Sequence, residues 1–375
     1  MEDISLQSRI DVLSEEQVMI QDSAVAFIAQ DEELKKVREN RFTQPGYDAK
    51  TWAEMAEAGW LGFLVPEEYD GIGLAFSDIS LVLIQLGKGL VPAPFSATAV
   101  LAARTLVKSD NEAFKKARLP ALISGEWKPA IAWQETRATL DVKAENVTSA
   151  DGKLNGQKLF VPDAGGADAF IVSAATAEGT ALYAVEKDAS GLSIEYAQRV
   201  DGGFYATLTF DNVVAGEQVA SAAVAEQALA SALDEARVAA SAELLGVMTR
   251  ALEITVDYLT QRVQFDKPIG SFQSLQHNAV DLFVLSEISR SVLLQTTALF
   301  DGDASDQERA IAASQLKARC GDAALQITKD AIQLHGGIGY TDECNIGLYL
   351  KKAMYLSSLW GNASAHRGRY AALVL

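Results

Sequence analysis

The hydrophobic pattern changes its period twice along the chain, and this change constrains the fold more than any other feature. Residues 1–118 carry apolar side chains at helical spacing, and residues 223–375 return to that spacing in longer stretches. Between them, residues 119–222 form short β-rich runs separated by Gly, Asp, Asn and Pro turns. The pattern predicts an α+β chain of three domains: an N-terminal α-helical domain, a central β-barrel or β-sandwich domain, and a C-terminal helical domain.

Local signals place the elements within these blocks. A serine followed by acidic residues starts a helix at Ser14, a capping box starts another at Ser305, and Gly336-Gly337 ends the latter. Helical spacing covers residues 14–38, 47–60, 77–90, 224–263, 271–300, 305–335 and 343–359. Strands are predicted at residues 130–133, 154–161, 169–173, 181–185, 192–196 and 206–210.

Charge and length narrow the functional classes. The 375 residues carry 50 acids against 32 bases, a formal net charge of -18. Nucleic acids and anionic membranes attract basic surfaces, so neither is an expected partner. No apolar run approaches the roughly 18 residues that a membrane span requires. Residues 1–11 lack the basic start and apolar core of a signal peptide, so we expect a cytoplasmic protein.

Cysteine and histidine usage argues against a disulfide scaffold and a metal site. The two cysteines, Cys320 and Cys344, have no CxxC spacing. The three histidines, His277, His335 and His366, lie far apart in the sequence. No metal is therefore expected.

Three segments could bind a ligand, although each also has an ordinary structural interpretation. Arg262–Gly270, followed by Phe272-Gln273, offers a guanidinium for a pyrophosphate and an aromatic ring for adenine, or is simply a helix connector. Gln333–Tyr340 offers exposed backbone N–H groups for phosphate, or is a glycine helix cap. Leu154–Val161 is a turn entering a strand, or an ordinary hairpin.

Taken together and in order, these segments resemble the acyl-CoA dehydrogenase family of flavoenzymes. Gly59–Leu74, Leu154–Asp163, Arg262–Asp281 and Gln333–Glu343 match four family segments, and the resemblance covers nearly the whole chain. It implies an N-terminal α-domain, a central β-domain and a C-terminal four-helix bundle. It also implies FAD between the β-domain and the bundle, with a neighbouring subunit completing the site.

The resemblance assigns FAD contacts residue by residue. Arg262 and Phe265 would hold the pyrophosphate and adenine of a neighbour's FAD, and Gln273 would contact its adenosine end. Gln333, Gly336 and Gly337 would bind the pyrophosphate, and Phe160 and Val161 would lie beside the flavin ring. Two departures from the family pattern are Asp266, where glycine is usual, and Pro162, where many members have threonine.

The catalytic base departs furthest from the family. Both positions where members carry the glutamate are vacant here, since they hold Trp360, before Gly361, and Ala236. Glu243 lies seven residues after Ala236, which places it within about 20° of the same helix face and about 10 Å along the axis. We expect Glu243 to be the base, with Ala240 on the same stripe. The alternatives are a glutamate on a solvated face and one buried beside Arg250.

Two further residues of this helix resemble family positions near the ligand. Arg237 matches an arginine near the substrate, and Asp234 matches a residue near the CoA end. The structural alternative is a helix-start acid and a surface cation.

The resemblance implies α,β-dehydrogenation of an acyl-CoA thioester, with electrons passed to an electron-transferring flavoprotein. A homotetramer, or at least a dimer, is expected because the FAD site borrows a neighbour's residues. Two alternatives remain open: a base-lacking flavin-binding or structural subunit in a mixed tetramer with a homologue, and a related flavin oxidase.

Overall fold

A computed structural model describes residues 13–31, 33–137 and 139–375, and it confirms the order of helices, sheet and helices. The signal-peptide argument on residues 1–11 lies outside the described residues. The division at residues 118/119 and 222/223 stays a prediction; the first helical block ends at Ile123 and the first strand begins at Pro129.

The N-terminal block is entirely helical. Ser14 caps its first helix with a capping box, as the local pattern indicated. The predicted helix over 14–38 is interrupted because Leu34 adopts the left-handed conformation. The helices are α1 (Glu15–Ala29), α2 (Lys35–Asn40), α3 (Ala49–Glu57), α4 (Phe76–Lys88), a π-helical segment (Ser96–Ala102) leading into α5 (Ala103–Val107), and α6 (Glu112–Ile123).

The central block is an open mixed sheet, so the predicted alternative of a closed barrel is wrong. Its strands are β1 (Pro129–Ala132), β2 (Thr148–Ala150), β3 (Lys153–Pro162), β4 (Ala169–Thr176), β5 (Gly179–Glu186), β6 (Leu192–Gln198), β7 (Phe204–Val214) and β8 (Gln218–Ala220). They pair in the order β6-β7-β3-β2-β4-β5-β8, with β1 parallel to β4. The sheet stays open because the two end strands, β6 and β8, do not pair with each other.

The C-terminal block packs its helices around α9. They are α7 (Ala225–Gln261), α8 (Gln273–Asp301), α9 (Asp306–His335), α10 (Ile346–Ser358) and α11 (Ala363–Val374). Helix α9 starts at the capping box of Ser305, ends at Gly336, and contacts α7, α8, α10 and α11. A short hairpin, β9 (Val263–Gln264) and β10 (Lys267–Pro268), joins α7 to α8.

The two helical blocks meet backbone to backbone where α4 packs against α7. A Cβ on Gly246 would overlap the carbonyl oxygen of Ile84, and a Cβ on Gly87 would overlap the carbonyl oxygen of Glu243. Only glycine permits this separation. The contact fixes the middle of α7, and therefore Glu243, against the N-terminal block.

Candidate functional site

A cavity opens where the N-terminal helices, the sheet and α10 meet. It encloses about 790 Å³ of empty space, its solvent-filled mouth included. Glu243 of α7 lies in its wall, opposite Tyr355 and Leu359 on or just after α10. The segment from Leu90 to Ala97 supplies apolar walls through Leu90, Pro92, Ala93 and Ala97. The sequence-predicted base therefore lies in the wall of this cavity.

Glu243 is buried, with 6% of its surface exposed. Its Oε1 accepts a short hydrogen bond from the Ser96 hydroxyl, and its Oε2 lies 3.3 Å from Lys352 Nζ. Arg250 instead pairs with Glu253, at 3.1 Å. The carboxylate is therefore held by one residue of the N-terminal block and one of α10.

The positions where family members carry the base do not offer a carboxylate. Ala236 and Ala240 are fully buried in the core and do not line the cavity. Trp360 has a positive φ of 55°, and its carbonyl oxygen accepts a hydrogen bond from Arg237 Nε at 3.2 Å. Glu243 thus lines the cavity and the alanines of its stripe do not, while its role as the base stays a prediction.

Asp234 and Arg237 pair with each other rather than facing the cavity of Glu243. Arg237 Nη1 donates to Asp234 Oδ1 at 2.7 Å, and Arg369 donates to both Asp234 oxygens at 2.6 and 2.9 Å. Asp234 also borders a second cavity, which Arg309 and Arg369 line with it. Arg237 is only 1% exposed, so the surface-cation alternative does not describe it.

Two more basic groups surround this pair. Lys317 Nζ donates to the carbonyl oxygens of Ser357 and Gly361, both at 3.0 Å. Burial, followed by the charge of Arg237, lowers the pKa of Lys317 to about 7. Burial, then Arg237 and Lys317, lowers the pKa of His366 to about 2. These groups hold the turn between α10 and α11 around Trp360.

A stack of aromatic rings in edge-to-face contact, with one arginine, runs from strands β3 and β7 of the sheet into the cavity. The ring of Phe160 lies 5.9 Å from that of Tyr205, which lies 6.0 Å from that of Tyr355. The Arg199 guanidinium lies 3.7 Å from the centre of the Tyr355 ring. Asp163 accepts from Arg199 at 2.8 Å, and Asp201 accepts at 3.0 Å.

This stack involves residues that the sequence did not single out. Burial raises the pKa of Tyr205 to about 12, and it raises the pKa of Asp163 even with Arg199 beside it. Ser96 and Lys352 escaped prediction because their partner, Glu243, is distant in sequence and no local motif marks them. Arg199 pairs with Asp201, two residues away, and with Asp163, but nothing in the sequence brought these three together.

The residues matched to a neighbour's FAD gather at one end of the C-terminal block. The rings of Tyr258 and His335 stack 4.5 Å apart, and so join the end of α7 to the end of α9. Phe265 is 85% exposed on the turn after α7. The other exposed members of this group are Arg262, Gln273, Gln333, Gly336 and Gly337.

This exposed set fits the diphosphate and adenosine half of FAD. Among the described residues no carboxylate lies within ion-pair distance of Arg262, so its guanidinium can meet an anion. A Cβ on Gly336 or Gly337 would contact nothing within 4 Å, so a ligand can approach their backbone. Phe160 and Val161 lie apart from this set, on β3: Phe160 is 39% exposed, whereas the Val161 side chain is buried in the sheet's own core.

In the described part of the chain, no group of three or more His, Cys, Asp and Glu residues could hold a metal ion. None of the helices described is both long and apolar enough to cross a membrane.

Similarity to known proteins agrees with this geometry. The family models of the acyl-CoA dehydrogenase N-terminal and C-terminal domains match residues 14–126 and 226–375. Mitochondrial isovaleryl-CoA dehydrogenase from Solanum tuberosum is 31% identical over 84% of this chain and 79% of its own length.

Two solved structures share the fold at a TM-score of 0.87. A variant of the Tcur3481-Tcur3483 steroid ACAD is 30% identical and covers 96% of this chain and 98% of that one. A chain from the structure of the electron transferring flavoprotein of Acidaminococcus fermentans is 26% identical and covers 97% of this chain and 100% of that one.

Proposed function

This chain belongs to the acyl-CoA dehydrogenase family, and we propose that it dehydrogenates an acyl-CoA thioester to the trans-2-enoyl-CoA with Glu243 as base. The family is an FAD-dependent family of oxidoreductases. FAD, when bound, would accept the hydride that leaves the β carbon. The electrons would then pass to an electron-transferring flavoprotein, a partner type that also gives its name to one similar structure.

The observation that carries this proposal is a buried carboxylate in the wall of the cavity where the N-terminal helices, the sheet and α10 meet. A Glu243 oxygen would take the α proton, the electrons of that C–H bond would form the new double bond, and hydride would leave the β carbon. Each Glu243 oxygen has one protein partner. A carboxylate oxygen has two lone-pair sites, so an acceptor position remains free for the proton.

The ligand contacts of the proposal lie at three places: one end of the C-terminal block, strand β3 and the second cavity. Arg262, Phe265 and Gln273 would hold a neighbouring subunit's FAD, together with Gln333 and the backbone of Gly336-Gly337. Phe160, with the backbone of Val161, would border the flavin ring of this chain's own cofactor. Asp234 borders the second cavity, whose arginines Arg309 and Arg369 suit the anionic groups of CoA. In that case Arg237 would act by holding Asp234.

Replacing Glu243 tests the proposal. Glu243→Gln keeps the shape and the hydrogen bond from Ser96 but cannot take a proton. We expect the rate of flavin reduction by acyl-CoA thioesters, measured anaerobically by loss of flavin absorbance, to fall by about 10²–10⁴-fold. Glu226→Gln on the same helix, which keeps an acceptor for Thr180, is the control and should reduce at the parent rate. Reduction of Glu243→Gln at the parent rate would remove the base assignment.

A second candidate function is that of a subunit that completes the FAD site of a homologue and catalyses no reaction in its own site. The observation favouring it is the Phe160–Tyr205–Tyr355–Arg199 stack, which fills space where the family resemblance places the flavin ring. The similar steroid ACAD is also named as a pair, Tcur3481-Tcur3483.

FAD content separates the two candidates. The purified chain should carry one FAD per chain under the first. Under the second it should purify without FAD and acquire cofactor and activity only with a co-expressed homologue. A homotetramer belongs to the first candidate and a mixed tetramer to the second. Both candidate functions are proposed for a cytoplasmic protein, the location that the sequence predicts.

A further inference from the structure

We propose that Lys352 and Ser96 are positioning residues that pair with the two oxygens of the Glu243 carboxylate and fix its orientation. The inference rests on the proposed function, because it concerns how Glu243 serves as a base. Both residues are outside the segments by which the sequence resembles its family.

The contacts come from opposite sides of the cavity. Ser96 belongs to the π-helical segment of the N-terminal block and donates its hydroxyl proton to Oε1. Lys352 belongs to α10 and brings its ammonium to 3.3 Å from Oε2. The backbone of α7 at Glu243 is itself fixed by its contact with Gly87. Contacts therefore fix both carboxylate oxygens of Glu243 and its backbone.

The low exposure of Glu243 makes a counter-charge necessary. A carboxylate removed from water without a partner favours its protonated form, which cannot act as a base. The Lys352 ammonium favours the ionised form through its charge, and the Ser96 hydroxyl favours it through a hydrogen bond. The Lys352 side chain is itself only 13% exposed, so water screens the pair weakly.

Other charges near Glu243 are already engaged with one another. Arg199 pairs with Asp163 and Asp201, and Arg41 pairs with Asp342. On α4, Lys88 pairs with Glu253 at 2.8 Å. The remaining titratable side chains that line the cavity are Tyr47, Lys351 and Tyr355. In the described chain, Lys352 is the cation within ion-pair distance of Glu243. We therefore expect the removal of Lys352 to affect the Glu243 carboxylate more than the other charged groups of the cavity.

The test follows the pH dependence of flavin reduction in four variants of the holoenzyme. Lys352→Met should move the ascending limb of the rate profile to higher pH by about one unit or more, because the carboxylate loses the cation that favours ionisation. Lys352→Arg keeps the charge and should restore the limb to within a few tenths of a unit. Ser96→Ala should move it in the same direction by less and slow reduction about tenfold. The KM for acyl-CoA should stay within about twofold in all three.

Lys116→Met is the matched control, since Lys116 is exposed on α6 away from the cavity, and its profile should coincide with that of the parent. The inference is wrong if the ascending limb of the pH–rate profile stays at the parent's pH in both Lys352→Met and Ser96→Ala. It is also wrong if this limb moves by the same amount in Lys352→Met and Lys352→Arg. If Lys352→Met does not fold, the Ser96→Ala and Lys352→Arg profiles decide the question alone. Failure of the proposed function is a different result: Glu243→Gln would then reduce flavin at the parent rate.

Discussion

Buried cations outnumber buried anions around the turn between α10 and α11. Arg237 and Arg369 both pair with one carboxylate, Asp234, while Lys317 donates to the Gly361 carbonyl oxygen and His366 Nε2 lies 3.1 Å from the Trp360 carbonyl oxygen. Burial keeps His366 neutral, and this excess of positive charge reinforces it. The shape of this turn, and with it the place of Trp360, therefore depends on His366 remaining unprotonated.

Acid should destabilise the protein through this residue. The pKa of His366 is about 2 in the folded chain and 6.5 as the ordinary reference, so below pH 6.5 the unfolded chain takes up a proton that the folded chain does not. Between about pH 6 and pH 4.5, the parent's free energy of unfolding should fall by about 1.4 kcal/mol per pH unit more than that of His366→Gln. Urea unfolding across this range measures it, with exposed His277→Gln as control. Parallel curves for the parent and His366→Gln would contradict the prediction.

At the residue scale, helix geometry placed Glu243 near the face of Ala236 and Ala240, and its role as the base stays a prediction. In the structure Glu243 lines the cavity whereas the two alanines are buried in the core, because the pattern of one helix does not reveal which neighbour covers each residue. Sequence reasoning could not find Ser96 or Lys352, because their contacts with Glu243 join residues more than 100 positions apart.

Elements were predictable to the extent that their signals are local. Capping boxes and apolar stripes located α1 and α9, whose starts depend on residues within one turn. Closure of the sheet was not predictable, because it depends on whether β6 and β8 meet after all other strands have paired. The break at Leu34 and the π-helical segment at Ser96–Ala102 likewise lack a local signal that distinguishes them from an uninterrupted helix.

The contact between α4 and α7 should tolerate no side chain at its centre. Gly246→Ala places a methyl group against the Ile84 carbonyl oxygen, which belongs to a helix backbone and cannot rotate away. We expect a loss of about 3 kcal/mol in unfolding free energy. Gly368→Ala on α11 is the control: a Cβ there meets nothing within 4 Å, so the change should be neutral or stabilise by up to about 1 kcal/mol. Equal midpoints of denaturant unfolding for the two variants would show that α4 and α7 can separate freely.

At the scale of the whole molecule, one helix carries several exposed apolar side chains. Helix α8 presents an exposed apolar stripe of Val280, Val284 and Ile288, with exposures of 57%, 46% and 45%. Four-residue spacing puts these side chains on one face. Exposed stripes of this kind mark contact surfaces, and this one adjoins the turn that carries Arg262 and Phe265. Assembly and the sharing of FAD residues would therefore use the same part of the chain.

Charging this stripe should separate the subunits. We expect Val284→Glu combined with Ile288→Glu to convert a tetramer or dimer to monomer in analytical ultracentrifugation, because each buried, unpaired carboxylate costs several kcal/mol at an interface. FAD should be lost together with assembly if neighbouring subunits share the cofactor. Val214→Glu, at a side chain 69% exposed on β7, is the control. A double variant that sediments like the parent and retains FAD would exclude α8 from the interface.

The glycine contact between α4 and α7 also determines how the cavity can be adapted to other acyl groups. Behind Glu243 the wall is backbone against backbone, so it contains no side chain that could be shortened to give a substrate more space. Variation must come from the facing wall, where Leu348, Leu356 and Leu359 project from α10 and its end, and from the segment around Ala93 and Ala97. Libraries for altered acyl-chain length should therefore vary one wall of the cavity and leave the other unchanged.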